Sequence, residues 1–161
     1  MNIYDYALEM EKESESYYRQ LVEKTDNKGL KTIFNMLADE EAKHYKIVAE
    51  MKSKTPAKVS DTNILSDAKE IFRQMSNDVE KSDFSGEQLK FYRKAQEIEK
   101  RSRNFYLQKA DEVENEAQKR IFRNLAEEEK KHYFLLQNII DFVAMPKDWL
   151  ENAEWYHLDE Y

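Results

Sequence analysis

Apolar residues recur three and four positions apart along most of this chain, a spacing that predicts long amphipathic helices. The first such stretch covers Ile3 to Lys24 and stops at Thr25-Asp26-Asn27-Lys28-Gly29, a run with turn chemistry. The second covers Leu30 to Lys52 and stops ahead of Thr55-Pro56, because proline disfavours helix in the residue before it. A third begins after Ser85, whose hydroxyl forms a capping-box pattern with Gln88, and extends to Val113. The fourth follows a short break at Glu114-Asn115 and ends before Pro146. The two short breaks make antiparallel hairpins of helices one and two and of helices three and four. The connection from Lys54 to Phe84 is too long for a turn, and Ile64, Leu65, Ala68, Ile71, Phe72 and Met75 predict a helix within it. The expected fold class is all-α: a four-helix bundle over residues 1–145, built from two hairpins joined by a long crossover. A C-terminal aromatic tail, 146–161, follows it.

The chain also repeats itself. Shifted by 88 residues, 4–48 aligns with 92–136 without a gap, and 19 of the 45 pairs are identical. LADEEAKHY at 37–45 becomes LAEEEKKHY at 125–133, so two of the three histidines fall in the matched region. A solenoid needs at least about three copies. Two copies predict a pseudo-twofold bundle.

The core-facing seam of each helix can be read from the same spacing. Helix one gives Tyr4, Ala7, Glu11, Ser14, Tyr18 and Leu21, and helix two gives Leu30, Phe34, Leu37, Glu41, His44, Val48 and Met51. Helix three gives Tyr92, Ala95, Glu99, Ser102 and Tyr106, and helix four gives Phe122, Leu125, Glu129, His132, Leu136 and Ile139. Every seam therefore carries a glutamate. Burying a carboxylate costs several kcal/mol unless something balances it, and no seam lysine or arginine does so. Two divalent cations would balance four carboxylates with both imidazoles neutral. Glu41 and His44, like Glu129 and His132, stand at i and i+3 and can reach one ion from one helix face. Glu11 and Glu99 add one carboxylate from each remaining helix. Glu9 and Glu97 also match across the repeat but lie off the seam, and Glu40 and Glu128 fall beside it, where solvation is expected.

Composition narrows the chemistry further. Two glycines and two prolines in 161 residues favour long helices over hairpins. A net charge of −7, with acidic and basic residues interleaved, offers no basic stripe for nucleic acid. No apolar run is long enough to span a membrane and no signal segment opens the chain, so a soluble, cytoplasmic protein is expected, with no membrane partner. The absence of cysteine excludes thiol catalysis, disulfides, thiolate zinc and iron–sulfur clusters, leaving His, Asp and Glu as the strong metal ligands.

EKESESYY (Glu11 to Tyr18) and EKRSRNFY (Glu99 to Tyr106), each followed in the next helix by EAKH (Glu41, His44) or EKKH (Glu129, His132), resemble the rubrerythrin-like branch of the ferritin superfamily. The resemblance implies a ferritin-like bundle holding two iron ions, with Glu41 and Glu129 bridging and Glu11 and Glu99 terminal. It gives Tyr18 and Tyr106 hydrogen bonds to metal-bound carboxylates. Two features depart from the family. With no cysteine the chain carries no rubredoxin-like iron module, and Ser102 stands where rubrerythrins offer an extra glutamate. The expected site is thus the symmetric version with four glutamates and two histidines. Electrons would come from an external donor such as a rubredoxin or a reductase.

Carboxylate and imidazole ligands suit iron or manganese and also bind zinc. The leading reading is a di-iron oxidoreductase that reduces peroxide or oxidises ferrous iron with dioxygen, in oxidative-stress defence or iron handling. The alternative is a non-catalytic iron buffer or sensor using the same cage. An oxygenase acting on an organic substrate would need a roomy apolar cavity beside the metals, and Phe34, Phe122, Leu37 and Leu125 are expected to fill that space. The family resemblance and the aromatic tail imply a homodimer. His157, in that tail, has no ligand pair near it and is not expected to form a third site.

Overall fold

A computed structural model describes residues 2–54, 59, 62–75, 86–146, 149 and 158. The described residues form five helices and no strand: α1 (Ile3–Lys24), α2 (Lys28–Lys52), α3 (Ile64–Met75), α4 (Gly86–Glu112) and α5 (Glu116–Ala144). Helix α2 begins two residues before the expected Leu30, because Asn27 in the turn caps it: its Oδ1 accepts the Leu30 N–H at 2.9 Å. Asn115, the repeat counterpart of Asn27, caps α5 in the same way through Gln118 N–H at 3.0 Å. Asn2 caps α1. Past Lys52 the chain leaves the helix through Lys54, whose φ of 62° lies in the left-handed region that ends many helices. Ser85, expected to cap α4, lies outside the described residues, as do His157 and most of the tail.

Helices α1 and α2 pack along their length, as do α4 and α5, and the hairpins meet along α1 against α4 and α2 against α5. The crossover helix α3 lies on α2 and α5. Its Phe72 is fully buried, with ring centroids 5.4 Å from Phe142 and 4.6 Å from Trp149. Burying a side chain of that size contributes about 1.5–3 kcal/mol. This is the ferritin-like helical bundle expected from the sequence.

The apolar core is not continuous. One cluster gathers Tyr18, Leu21, Leu30, Phe34, Leu37, Tyr92, Leu136 and Ile139 with α3. A smaller one gathers Ala7, Val48, Met51, Tyr106, Phe122 and Leu125. Between them, on all four long helices, comes a buried polar layer of Glu11, Ser14, Glu41, His44, Glu99, Ser102, Glu129 and His132.

Candidate metal centre

The seam spacing predicts this layer, and the structure assembles it. Glu11, Glu41, His44, Glu99, Glu129 and His132 are each at most 3% exposed. They form two overlapping groups: Glu11, Glu41, His44 and Glu129, and Glu41, Glu99, Glu129 and His132. Within each group the candidate donor atoms lie within 4.8 Å of one another, close enough to hold one ion. Glu41 and Glu129 belong to both groups, whereas Glu11 and Glu99 each belong to one.

The halves interlock crosswise. His44 Nδ1 lies 2.7 Å from Glu129 Oε1 and 3.7 Å from Glu11 Oε1. His132 Nδ1 lies 2.9 Å from Glu41 Oε1 and 3.3 Å from Glu99 Oε1. The imidazoles stack nearly parallel, 9° apart, with centroids 5.8 Å from each other. The Tyr18 hydroxyl donates to Glu99 and the Tyr106 hydroxyl to Glu11, so each tyrosine holds a carboxylate of the opposite hairpin. Burial and the surrounding carboxylates push both phenols well above their usual range, so they remain donors.

The electrostatics expose an imbalance. One oxygen of each glutamate (Oε2 of Glu11, Glu41, Glu99 and Glu129) is buried without a hydrogen-bond partner. Among the described residues no lysine or arginine is buried. Without a cation, protons must supply the balance. Burial, and then the charges of Glu99 and Glu11, raise Glu41 well above the carboxylate range. Burial, and then Glu41, Glu99 and Glu11, do the same to Glu129. Burial would depress His132, but Glu99, Glu40 and Glu129 outweigh it and hold the ring well above its ordinary value. Burial also works to raise Glu99, and the charge on His132 overcomes it and pulls that carboxyl down. His44 goes the other way from its counterpart: burial lowers it, and repulsion from His132 adds to the effect. Four lone carboxylate oxygens converging on a dry layer are the donor set that hard or borderline divalent cations prefer, so the residues present fit such ions.

The structure corrects one expectation. Glu40 and Glu128 are not solvated: the Glu40 side chain is 13% exposed and Glu128 is 5% exposed. Glu40 Oε1 lies 3.6 Å from His132 Nε2, and the Thr62 hydroxyl from the crossover donates to Glu40. Burial works to raise Glu40, but the His132 imidazole and the Thr62 hydroxyl outweigh it and hold it at about 2. The repeat did carry a signal for this pair, since both positions stay glutamate while Glu13 and Glu15 give way to Arg101 and Arg103. Retention alone does not decide, because Glu9 and Glu97 also match and are exposed, as their off-seam positions imply.

The comparisons with known proteins fit this picture. A hypothetical protein from Pyrococcus furiosus has a similar structure, with a TM-score of 0.61 and 22% identity over 88% of each chain. At that identity the likeness speaks to the fold alone. No curated protein matches the chain. The family described as Rubrerythrin matches residues 2–140, which take in all six converging side chains. The chain belongs to the rubrerythrin family.

Proposed function

We propose that the protein is a di-iron oxidoreductase of rubrerythrin type, which reduces peroxide or oxidises ferrous iron with dioxygen. The four buried carboxylate oxygens that lack a partner, one from each bundle helix, carry this reading. Glu41 and Glu129 would bridge the ions, Glu11 and His44 would complete one position, and Glu99 and His132 the other. A di-iron pair, when bound, supplies two electrons to a single oxidant molecule. The chain's own residues do the rest. The two apolar clusters keep bulk water from the layer. The phenols of Tyr18 and Tyr106 fix the orientation of Glu99 and Glu11, as outer hydrogen bonds do at metal sites generally. Peroxide or dioxygen would be the oxidant, with electrons from a separate donor, in a cytoplasmic homodimer.

The test is anaerobic loading with two ferrous equivalents, followed by rapid mixing with peroxide or with dioxygen. Oxidation faster with peroxide supports the peroxidase activity, and oxidation driven well by dioxygen supports the ferroxidase activity. Sluggish reaction with both overturns the enzymatic reading in favour of an iron buffer.

A further inference from the structure

A cavity of about 460 Å³ lies beside the centre, walled by α2, by Glu128 of α5 and by the segment leading into α3. Three of its lining residues adjoin the candidate ligands or belong to them. His44 and Glu128 are more than nine-tenths buried, and Glu40 is held at the wall by the Thr62 hydroxyl. Behind Glu40 stands His132. Its Nδ1 faces the carboxylates of the centre, while its Nε2 is buried, lacks a hydrogen-bond partner and lies 3.6 Å from Glu40 Oε1. The cavity thus reaches the centre through His44 directly and through the Glu40–His132 pair.

Its charge selects what it would admit. Nearer the surface the lining adds Asp39, Glu50 and Asp67, against Lys43 and Lys46. Lys43 lies 3.7 Å from Glu40, and Arg19 pairs with Asp39 at 2.8 Å, yet carboxylates still outnumber the lysines of the lining five to two. A cleft whose lining carries an excess of one sign of charge focuses the field and concentrates ions of the other sign. Two further cavities, of about 410 and 480 Å³, lie on the α1/α4 face. Neither includes any of the six converging residues, and their charges are mixed: Glu97 with Lys100 and Arg101 in one, and Glu9 and Glu13 with Lys94 and Arg101 in the other.

We infer that the α2/α5 cavity is the route by which divalent cations reach the six buried side chains, with the carboxylates of its lining drawing the ion in and Glu40 and His44 handing it to the centre. The inference rests on the dimetal reading above. A neutral oxidant gains nothing from such a field, so the charge of the lining assigns the route to the cation.

Uptake kinetics test this without recourse to activity. Metal-free protein is mixed with Co²⁺ in a stopped-flow instrument and followed through the visible absorption of the bound ion, and the final Co²⁺-to-chain ratio is then measured. Glu50→Gln/Asp67→Asn, which removes two charges of the lining outside the six converging residues, is expected to take up Co²⁺ about three- to tenfold more slowly at ~10 mM ionic strength. The gap should close at ~0.5 M salt, where screening shortens to a few ångströms, and the final ratio should equal that of the wild type. Thr62→Trp, which fills the cavity, is expected to slow uptake at both salt concentrations. Wild-type speed at low salt in either variant, with the full ratio reached, overturns the route. A wild-type protein that retains no Co²⁺ overturns the dimetal reading itself.

Discussion

The hairpins α1–α2 and α4–α5 present the same side chains to the candidate centre and different surroundings to their backs. At the centre, the match is residue for residue: Glu11 with Glu99, Tyr18 with Tyr106, Glu41 with Glu129 and His44 with His132. Each tyrosine and each histidine reaches across to the other hairpin. Outside, the crossover breaks the symmetry. It sends Thr62 to Glu40, and α3 packs on α2 and α5. On the α1/α4 face, Tyr6 packs at a tilt against Phe105 and remains 48% exposed. The duplicated interior is what two like ions would require of two helix pairs. The unequal exterior shows that the surroundings diverge, without symmetry in the converging residues being lost, where side chains do not face the centre.

Breaking the shared carboxylates should have the largest effect. Glu41→Ala/Glu129→Ala removes residues common to both groups and is expected to abolish binding of both ions, as read by elemental analysis after gel filtration. Glu11→Ala should lose only the ion on the His44 side, and Glu99→Ala only the ion on the His132 side. Loss of both ions from either single variant would contradict the assignment of these residues to separate groups.

Next in size is the packing of the crossover helix. Phe72→Ala should destabilise the fold by about 3–5 kcal/mol, as large core truncations do. It should leave the ion-to-chain ratio unchanged, because Phe72 belongs to the larger apolar cluster and not to the polar layer. Chemical denaturation with and without bound metal measures both quantities.

Acidity should separate the metal-free from the loaded protein. Glu41, Glu129 and His132 all have raised values in the fold. A raised group contributes its full stability below its unfolded value and loses it as pH rises through the folded one. Two of these windows open at about 4.5 and one at about 6.5, so metal-free protein should melt at progressively lower temperature from pH 5 to pH 8. The slope is about 1.4 kcal/mol per pH unit for each proton released. Glu99 and His44, which are lowered, act in the opposite sense. The first loses its contribution only as pH falls below about 4.5 and the second as pH falls below about 6.5, so His44 shallows the decline there without reversing it against two raised carboxyls. With ions bound the carboxylates are already paired, and the decline should vanish in calorimetric scans of the loaded protein. A decline of equal slope in both forms would contradict the charge imbalance described here.

The smallest effect sharpens the crosswise pairing. Tyr18→Phe frees Glu99 and should weaken the ion on the His132 side by about tenfold, while Tyr106→Phe frees Glu11 and should weaken the other to a similar degree. Competitive titration resolves the two, and both variants weakening the same ion would undo the pairing.

Much of this arrangement is legible in the sequence, because a charged residue on a core stripe is conspicuous and helix periodicity fixes its direction. That suffices for the six converging side chains, for the two hairpins and for the crossover helix. It fails at Glu40 and Glu128, because seam periodicity assigns each residue to a face of its own helix and carries no information about what covers the flank. Glu40 is covered by Thr62, 22 residues away in the part of the connection that precedes the helical spacing of α3. The sequence leaves the start of α2 open for a smaller reason. Asn27 is equally at home in a turn and at a helix cap, and only the hydrogen bond to Leu30 distinguishes the two.

The most direct measurement is a crystal structure of metal-replete protein with an anomalous difference map at the metal's absorption edge. Two peaks are expected, one among Glu11, His44 and the shared carboxylates and the other among Glu99, His132 and the same pair. A map without peaks inside the bundle, or with Glu41 and Glu129 turned away from those present, would contradict the account.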